Sequence, residues 1–222
     1  MVDYRNFRLS KLNEPEYSHL KLLGGWIVYF ALYFLTENLI PAEKCHPIHC
    51  IVDDMIPFNE YFVIIYTMWF LFCFGWLLYY LLKDVKQFSR VQIYIMCTQA
   101  IAMAVYIIYP NRQDLRPETF SRENFFTFIM SIIYAFDTST GVCPSLHVGY
   151  SFAITSVVTK DKNMPVWVKI LCWVFSFAVS YAVCAVKQHS FVDVAAGMIM
   201  VIILEFILYG KKTALMSRWV KE

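Results

Sequence analysis

Three short clusters hold the side chains able to do acid–base or nucleophilic chemistry. In Lys187-Gln188-His189-Ser190-Phe191-Val192-Asp193 a histidine and an aspartate stand four apart. On a helix that spacing puts both on one face, so Asp193 can accept from one imidazole nitrogen and leave the other as a nucleophile. A buried structural ion pair is the competing reading. In Cys143-Pro144-Ser145-Leu146-His147 the proline and serine suit a helix start, whose free N–H groups attract an anion, and His147 falls in the first turn beside it. The same run also reads as a capping serine next to an interfacial histidine. The third cluster, from Tyr109 to Pro117, sets Arg112 and Arg116 in a loop bounded by prolines, and guanidinium forks match phosphate oxygens. Against this stands a solvated loop whose arginines pair with Asp114 and Glu118.

A different chemistry is offered by Cys45-His46-Pro47-Ile48-His49-Cys50. Two cysteines with four residues between them on an oxidising face can form a disulfide, hold a metal with His46 and His49, or serve a thiol–disulfide redox protein. The separation is not the two residues of a redox pair and no nucleotide or haem motif accompanies it, so a structural disulfide or idle thiols is the favoured reading. Asp53, Asp54 and Glu60 could take a divalent cation but read better as a solvated acidic loop. No metal site and no cofactor is assigned.

The elements that must position these residues follow from composition. The chain has 222 residues, 59% hydrophobic and 16% charged, against about 45–50% apolar and about 25% charged in ordinary globular domains. With a mean hydropathy of +0.51 it belongs in a bilayer, and a net charge of +2 leaves no patch for nucleic acid. A crossing needs roughly 20 apolar residues, and six are expected at Leu22 to Ile40, Tyr61 to Leu82, Val91 to Asn111, the shorter run from Ser145 to just before Lys160, Val166 to Val186 and Phe191 to Gly210. The sixth carries Asp193 and Glu205, charges that mark a functional membrane helix. Asn124 to Phe136 is apolar but too short to span, and is expected to lie in the interface or re-enter. Met1 to Leu20 lacks the apolar core and small-residue cleavage site of a signal peptide, so the first run is expected to stay as an anchor.

The expected fold is thus an all-α polytopic membrane protein of six transmembrane helices, one domain over 1–222. Arg5, Arg8, Lys11 and Lys21, then Lys83, Lys86 and Arg90, then Lys160, Lys162 and Lys169, and finally Lys211, Lys212, Arg218 and Lys221 fall on one side. Basic residues mark the cytoplasm, so both tails, 1–20 and 211–222, are placed there. Lys44, Arg112, Arg116, Arg122 and Lys187 face outward against that rule, together with all three clusters. No internal repeat suggests a duplicated transporter, which leaves a pore as the weaker alternative. Nothing in the chain sets an oligomeric state.

Taken in order, Arg116-Pro117, Pro144-Ser145-Leu146-His147 and His189-x-x-x-Asp193-x-x-x-Gly197 resemble the three-part signature of the type-2 phosphatidic acid phosphatase superfamily, over about Tyr109 to Gly197. That superfamily includes lipid phosphate phosphatases, haloperoxidases and lipid head-group phosphotransferases. Two of its cations are missing, because Tyr109 stands where the first motif has lysine and Ala182-Val183 where the third has Ser-Arg. Lys187 and Arg112 stand nearby as replacements, and Leu146 with Lys-Gln-His is similar to divergent branches such as the inositol phosphosphingolipid synthase-like proteins. The resemblance implies metal-independent hydrolysis of a lipid phosphate monoester or isoprenoid pyrophosphate on the outer face of the cytoplasmic membrane, or head-group transfer. His189 would be the nucleophile, Asp193 its orienting partner and His147 the general acid. Arg116, Arg112, Lys187 and Ser145, at the start of the fourth crossing, would hold the phosphate.

Overall fold

The computed structural model describes residues 2–210 and 215–220. In chain order it contains α1 (Gly24–Leu39), the two-residue strand β1 (His46–Pro47), α2 (Ile51–Met55), α3 (Val63–Lys83), α4 (Val85–Ile108) and a second such strand, β2 (Asn111–Arg112). Then follow α5 (Phe125–Phe136), α6 (Leu146–Lys160), α7 (Val166–Ala185), α8 (Phe191–Tyr209) and α9 (Leu215–Trp219). Lys211, Lys212 and Lys221 of the expected cytoplasmic tail lie outside the described residues, as does the side chain of Arg218.

Among the described residues, five stretches are long and apolar enough to cross a membrane: Ser18–Leu39, Glu60–Lys83, Val85–Ile108, Val166–Ala185 and Phe191–Tyr209. The chain is therefore an all-α membrane protein. The expected fourth crossing is α6, and it is shorter than the rest. Its 15 residues rise about 22 Å, less than the roughly 30 Å hydrocarbon core. It is also the central helix, with its length from Leu146 to Val158 buried except at His147, packed among α3, α4, α7 and α8. The short apolar stretch after Asn124 is a 12-residue helix, α5, capped by the Asn124 side chain.

Hydropathy and helix boundaries differ where a cap lies outside the apolar run. The crossing expected from Val91 begins as a helix at Val85, because Asp84 Oδ1 accepts from the Lys86 and Gln87 N–H groups. At its other end the helix stops at Ile108, and Asn111 belongs to β2. The expected N-terminal tail is folded onto the bundle: Tyr4 OH donates to Leu81 O at 2.9 Å and Tyr17 is buried.

In lipid an apolar face gains nothing by meeting another apolar face, so polar contacts and close packing carry helix association. Thr155 and Ser176 join α6 to α7 at 2.8 Å, Gln99 of α4 donates to Tyr150 OH of α6 at 2.9 Å, and Trp26 of α1 donates to Gln92 of α4 at 3.1 Å. Outward faces remain apolar, with Ile27, Leu71, Phe74 and Phe206 exposed.

Candidate active site

Two helix starts meet at one end of the bundle. Ser145 caps α6, its Oγ accepting from Val148 N–H, and Ser190 caps α8 in a reciprocal box with Asp193. Ser145 N–H donates to Asp193 O at 3.0 Å, tying one start to the other. A Cβ at Gly197 would meet Ser145 O at 2.9 Å, so only glycine lets α8 approach this closely. His147 on the first turn of α6 and His189 just before α8 are held by that junction.

Their geometry is a hydrogen-bonded chain. Asp193 is fully buried, and its Oδ2 accepts from Ser190 N–H at 2.9 Å and pairs with His189 Nδ1 at 3.2 Å. His189 Nε2 lies 3.1 Å from His147 Nδ1. An ionised Asp193 sets the proton on His189 Nδ1, so His147 Nδ1–H donates to the His189 Nε2 lone pair. His147 Nε2 is buried with no partner. The expectation that His189 and Asp193 share a helical face is corrected here. His189 precedes the cap and Asp193 sits in the first turn, so the contact forms across the helix start.

Both imidazoles open into a cavity of about 780 Å³, lined mainly by aromatic and aliphatic side chains of α1, α3 and α5, with Tyr150 of α6 and Gln188. Its α3 wall runs from Tyr66 to Leu81, about 22 Å of helix. Tyr66 and Trp69 hold the His147 ring at centroid distances of 4.9 Å and 4.3 Å, and Trp69 Nε1 donates to His147 O at 3.1 Å.

The basic residues are arranged otherwise than the sequence suggests. Lys187 does not line the cavity. Its ammonium donates to Asp53 O at 2.7 Å and Ile56 O at 2.5 Å, around the end of α2, and its backbone takes a left-handed φ of 52° in the tight turn between α7 and α8. The lysine is thus a buried clamp on α2, and its assignment to the phosphate is corrected. Arg112 pairs with Asp114 at 3.1 Å and donates to Ala42 O at 2.6 Å, so the solvated-loop reading describes it and its phosphate role is likewise corrected. Arg116 stands one layer behind the cavity, donating to Asp137 O and Thr138 O at 2.8 Å and to Gln188 Oε1 at 2.6 Å, with its ring partner Tyr134 at 4.6 Å. Ser145 is buried as a cap and does not line the cavity.

Several supporting residues were invisible to spacing. Asp53, expected in a solvated acidic loop, is buried and accepts from Ser190 Oγ at 2.6 Å, Phe191 N–H at 2.7 Å and Cys50 N–H at 2.8 Å. Burial by itself would raise its pKa, and these bonds hold it below the ordinary value. Asn111 is a buried hub whose Oδ1 accepts from Val142 and Cys143 N–H and whose Nδ2 donates to Cys143 O, fixing the approach to α6. Asp137 and Gln188 line the cavity beside the imidazoles.

Cys45 and Cys50 are both free thiols, which agrees with idle thiols, one of the two favoured readings, and not with a disulfide. Cys45 is buried and donates to Pro41 O, and burial pushes its thiol up from the ordinary pKa. Among the described residues no group of three His, Cys, Asp or Glu side chains could hold a metal. Compared with protein-family models, curated proteins and solved structures, the chain finds no match. Function is therefore read from the site's own geometry.

Proposed function

We propose that this protein is a membrane phosphatase that transfers the phosphoryl group of a lipid phosphate monoester or isoprenoid pyrophosphate to His189 and then to water, without a metal. The observation that carries this reading is the Asp193–His189–His147 chain ending in a long apolar cavity. A hydrocarbon tail fits the cavity, and a phosphate at its end meets a nucleophilic imidazole and an acid.

In the first step the His189 Nε2 lone pair forms an N–P bond as the P–O bond to the lipid breaks, and protonated His147 gives its proton to the departing oxygen. Entry of the phosphoryl group has to separate the two imidazoles, which now touch. In the second step water adds to phosphorus, His147 takes its proton, and the N–P bond breaks. Asp193 stabilises the positive charge on His189, while the α6 N-terminus and Arg116, acting through Gln188 and the Thr138 carbonyl, set the field around the phosphate. Alpha6 is taken as a sixth crossing, its short length accommodated by the protein around it. Six crossings bring both chain ends to the cytoplasm and the site to the outer face of the cytoplasmic membrane.

The test is purified protein in detergent against a panel of lipid phosphates, with and without an alcohol acceptor. Phosphate release that survives a chelator and Cys45→Ser and Cys50→Ser, and is lost in His189→Ala, supports the reading. Full turnover in His189→Ala and His147→Ala removes it, and activity that follows the cysteines instead would favour the redox alternative.

A further inference from the structure

Asp137 is an acidic side chain of the cavity wall that this mechanism does not use. It follows the last residue of α5, lines the same cavity as His147 and His189, and its Oδ2 accepts from Tyr66 OH at 3.2 Å. Tyr66 in turn packs its ring on His147, so the carboxyl and the imidazole share one support. Among the described residues the cavity wall carries no lysine or arginine. Lys187 is committed to the α2 carbonyls, and Arg116 reaches the cavity only through groups to which it is already bonded.

We propose that Asp137 is a specificity-determining residue that sets the charge of the phosphoryl group, so that the site takes a singly charged phosphate in preference to a dianion. This rests on the phosphoryl-transfer reading above and narrows its substrates. A phosphate placed between the imidazoles faces a carboxyl with no lysine or arginine of the cavity wall among the described residues to oppose it, so the His147 imidazolium of the first step is the cation at hand. If the carboxyl stays ionised it repels the phosphate, and if it takes up a proton the uptake itself costs free energy. The repulsion is larger for two charges than for one, while proton uptake costs the same for either substrate and only caps the difference. The groups facing Asp137 are Tyr66 from α3, Tyr29 and Tyr33 from α1, His147 from α6, His189 from the α7–α8 turn and Arg116 from the α4–α5 loop. Burial pushes the Asp137 carboxyl up from its ordinary value, opposed by His189, Arg116 and the Tyr66 hydroxyl.

A matched pair of substrates isolates the effect: a lipid phosphate monoester and its methyl phosphodiester with the same tail. For the diester, the His189 N–P bond forms as the bond to the lipid oxygen breaks, His147 protonates the lipid alcohol, and water then releases methyl phosphate. The imidazole protonations are common to both substrates, so they cancel in the ratio of kcat/KM values. Wild type should favour the diester about 10-fold or more at pH 8, and the ratio should fall as the monoester takes up its proton near a pKa of about 6. Asp137→Asn should lower the pH 8 ratio by about 10-fold. A wild-type ratio of one or below at pH 8, or the same ratio in Asp137→Asn as in wild type, overturns the proposal. Should Asp137→Asn not fold, the wild-type ratio and its pH dependence decide. Loss of both turnovers in His189→Ala alongside an unchanged ratio in Asp137→Asn sinks only the charge assignment. Retained turnover in His189→Ala sinks the phosphoryl-transfer reading itself.

Discussion

At the end of the bundle away from the imidazoles, Glu205 pairs with Lys160 and accepts from Ser156 Oγ at 2.7 Å and Tyr94 OH at 3.3 Å, while Asp161 accepts from Tyr80 OH at 3.1 Å. At the opposite end, Asp193 is buried just as deeply as any core residue, yet its interactions lead outward through His189 to a His147 nitrogen that meets nothing. The first arrangement matches an acid to a base and closes. The second leaves a buried imidazole nitrogen without a partner, at a cost of about 1–3 kcal/mol for the unpaired group. A fold tolerates that cost where a ligand supplies the missing partner, and the contrast sets a closed ionic cluster against the proposed reactive one within one molecule.

The contrast is sharpest in the imidazoles. On the proposed mechanism His189→Ala should lower kcat/KM by about 10⁴-fold or more, since the proposed nucleophile is gone, and His147→Ala by about 10²–10⁴-fold. Both variants should keep the wild-type melting profile in detergent, which circular dichroism checks. Asp193→Asn comes next, with an expected loss of about 10²–10⁴-fold in kcat, because the amide can no longer fix the His189 tautomer. It should also lose some stability, because the Asp193 carboxylate closes the box at the start of α8. Equal loss of activity and of folded protein in Asp193→Asn would make the residue a cap alone.

Much of this is legible in the sequence. The helices carry long apolar runs with few charges, so their approximate bounds follow from hydropathy, and Pro144-Ser145 announces the start of α6. The pairing of His189 with Asp193 is local in sequence, so spacing shows it, but not that it forms across the helix start. What spacing cannot show is where a long side chain turns. Lys187 lies two residues before His189, yet a left-handed backbone at Lys187 sends its ammonium to carbonyls 131 and 134 residues away in sequence. Asp53, Asp137 and Asn111 act through partners distant along the chain, so no local pattern marks them.

Lys187→Met therefore tests the boundary between the two kinds of chemistry. The sequence assigns it to the phosphate, which predicts loss of turnover in a folded protein. The structure assigns it to the end of α2, which predicts a loss of about 1.5–3 kcal/mol in stability as two carbonyls lose a charged donor. Surviving folded protein should keep kcat within about 3-fold, because the cavity wall is unchanged. A stable variant with kcat/KM down by about 10²-fold would restore the lysine to the site.

Glu205→Gln carries the smallest expected effect and bears on the closed end of the comparison. The amide keeps the shape and still accepts from Ser156 and Tyr94, but it gives up the charge that balances Lys160. Both partners of that pair are about one third exposed, at 36% and 34%, so water and lipid headgroups share the burden and the pair is worth about 0–1 kcal/mol. Turnover should stay within about 2-fold of wild type, since the substitution is separated from the imidazoles by most of the length of α8 and shares no partner with them. Melting of the variant beside wild type, with kcat/KM on the same lipid phosphate, checks both statements. A fall in kcat/KM of about 10-fold or more without a change in melting would mean that the two ends are coupled through α8. The closed end would then be part of the catalytic machinery and not a purely structural lock.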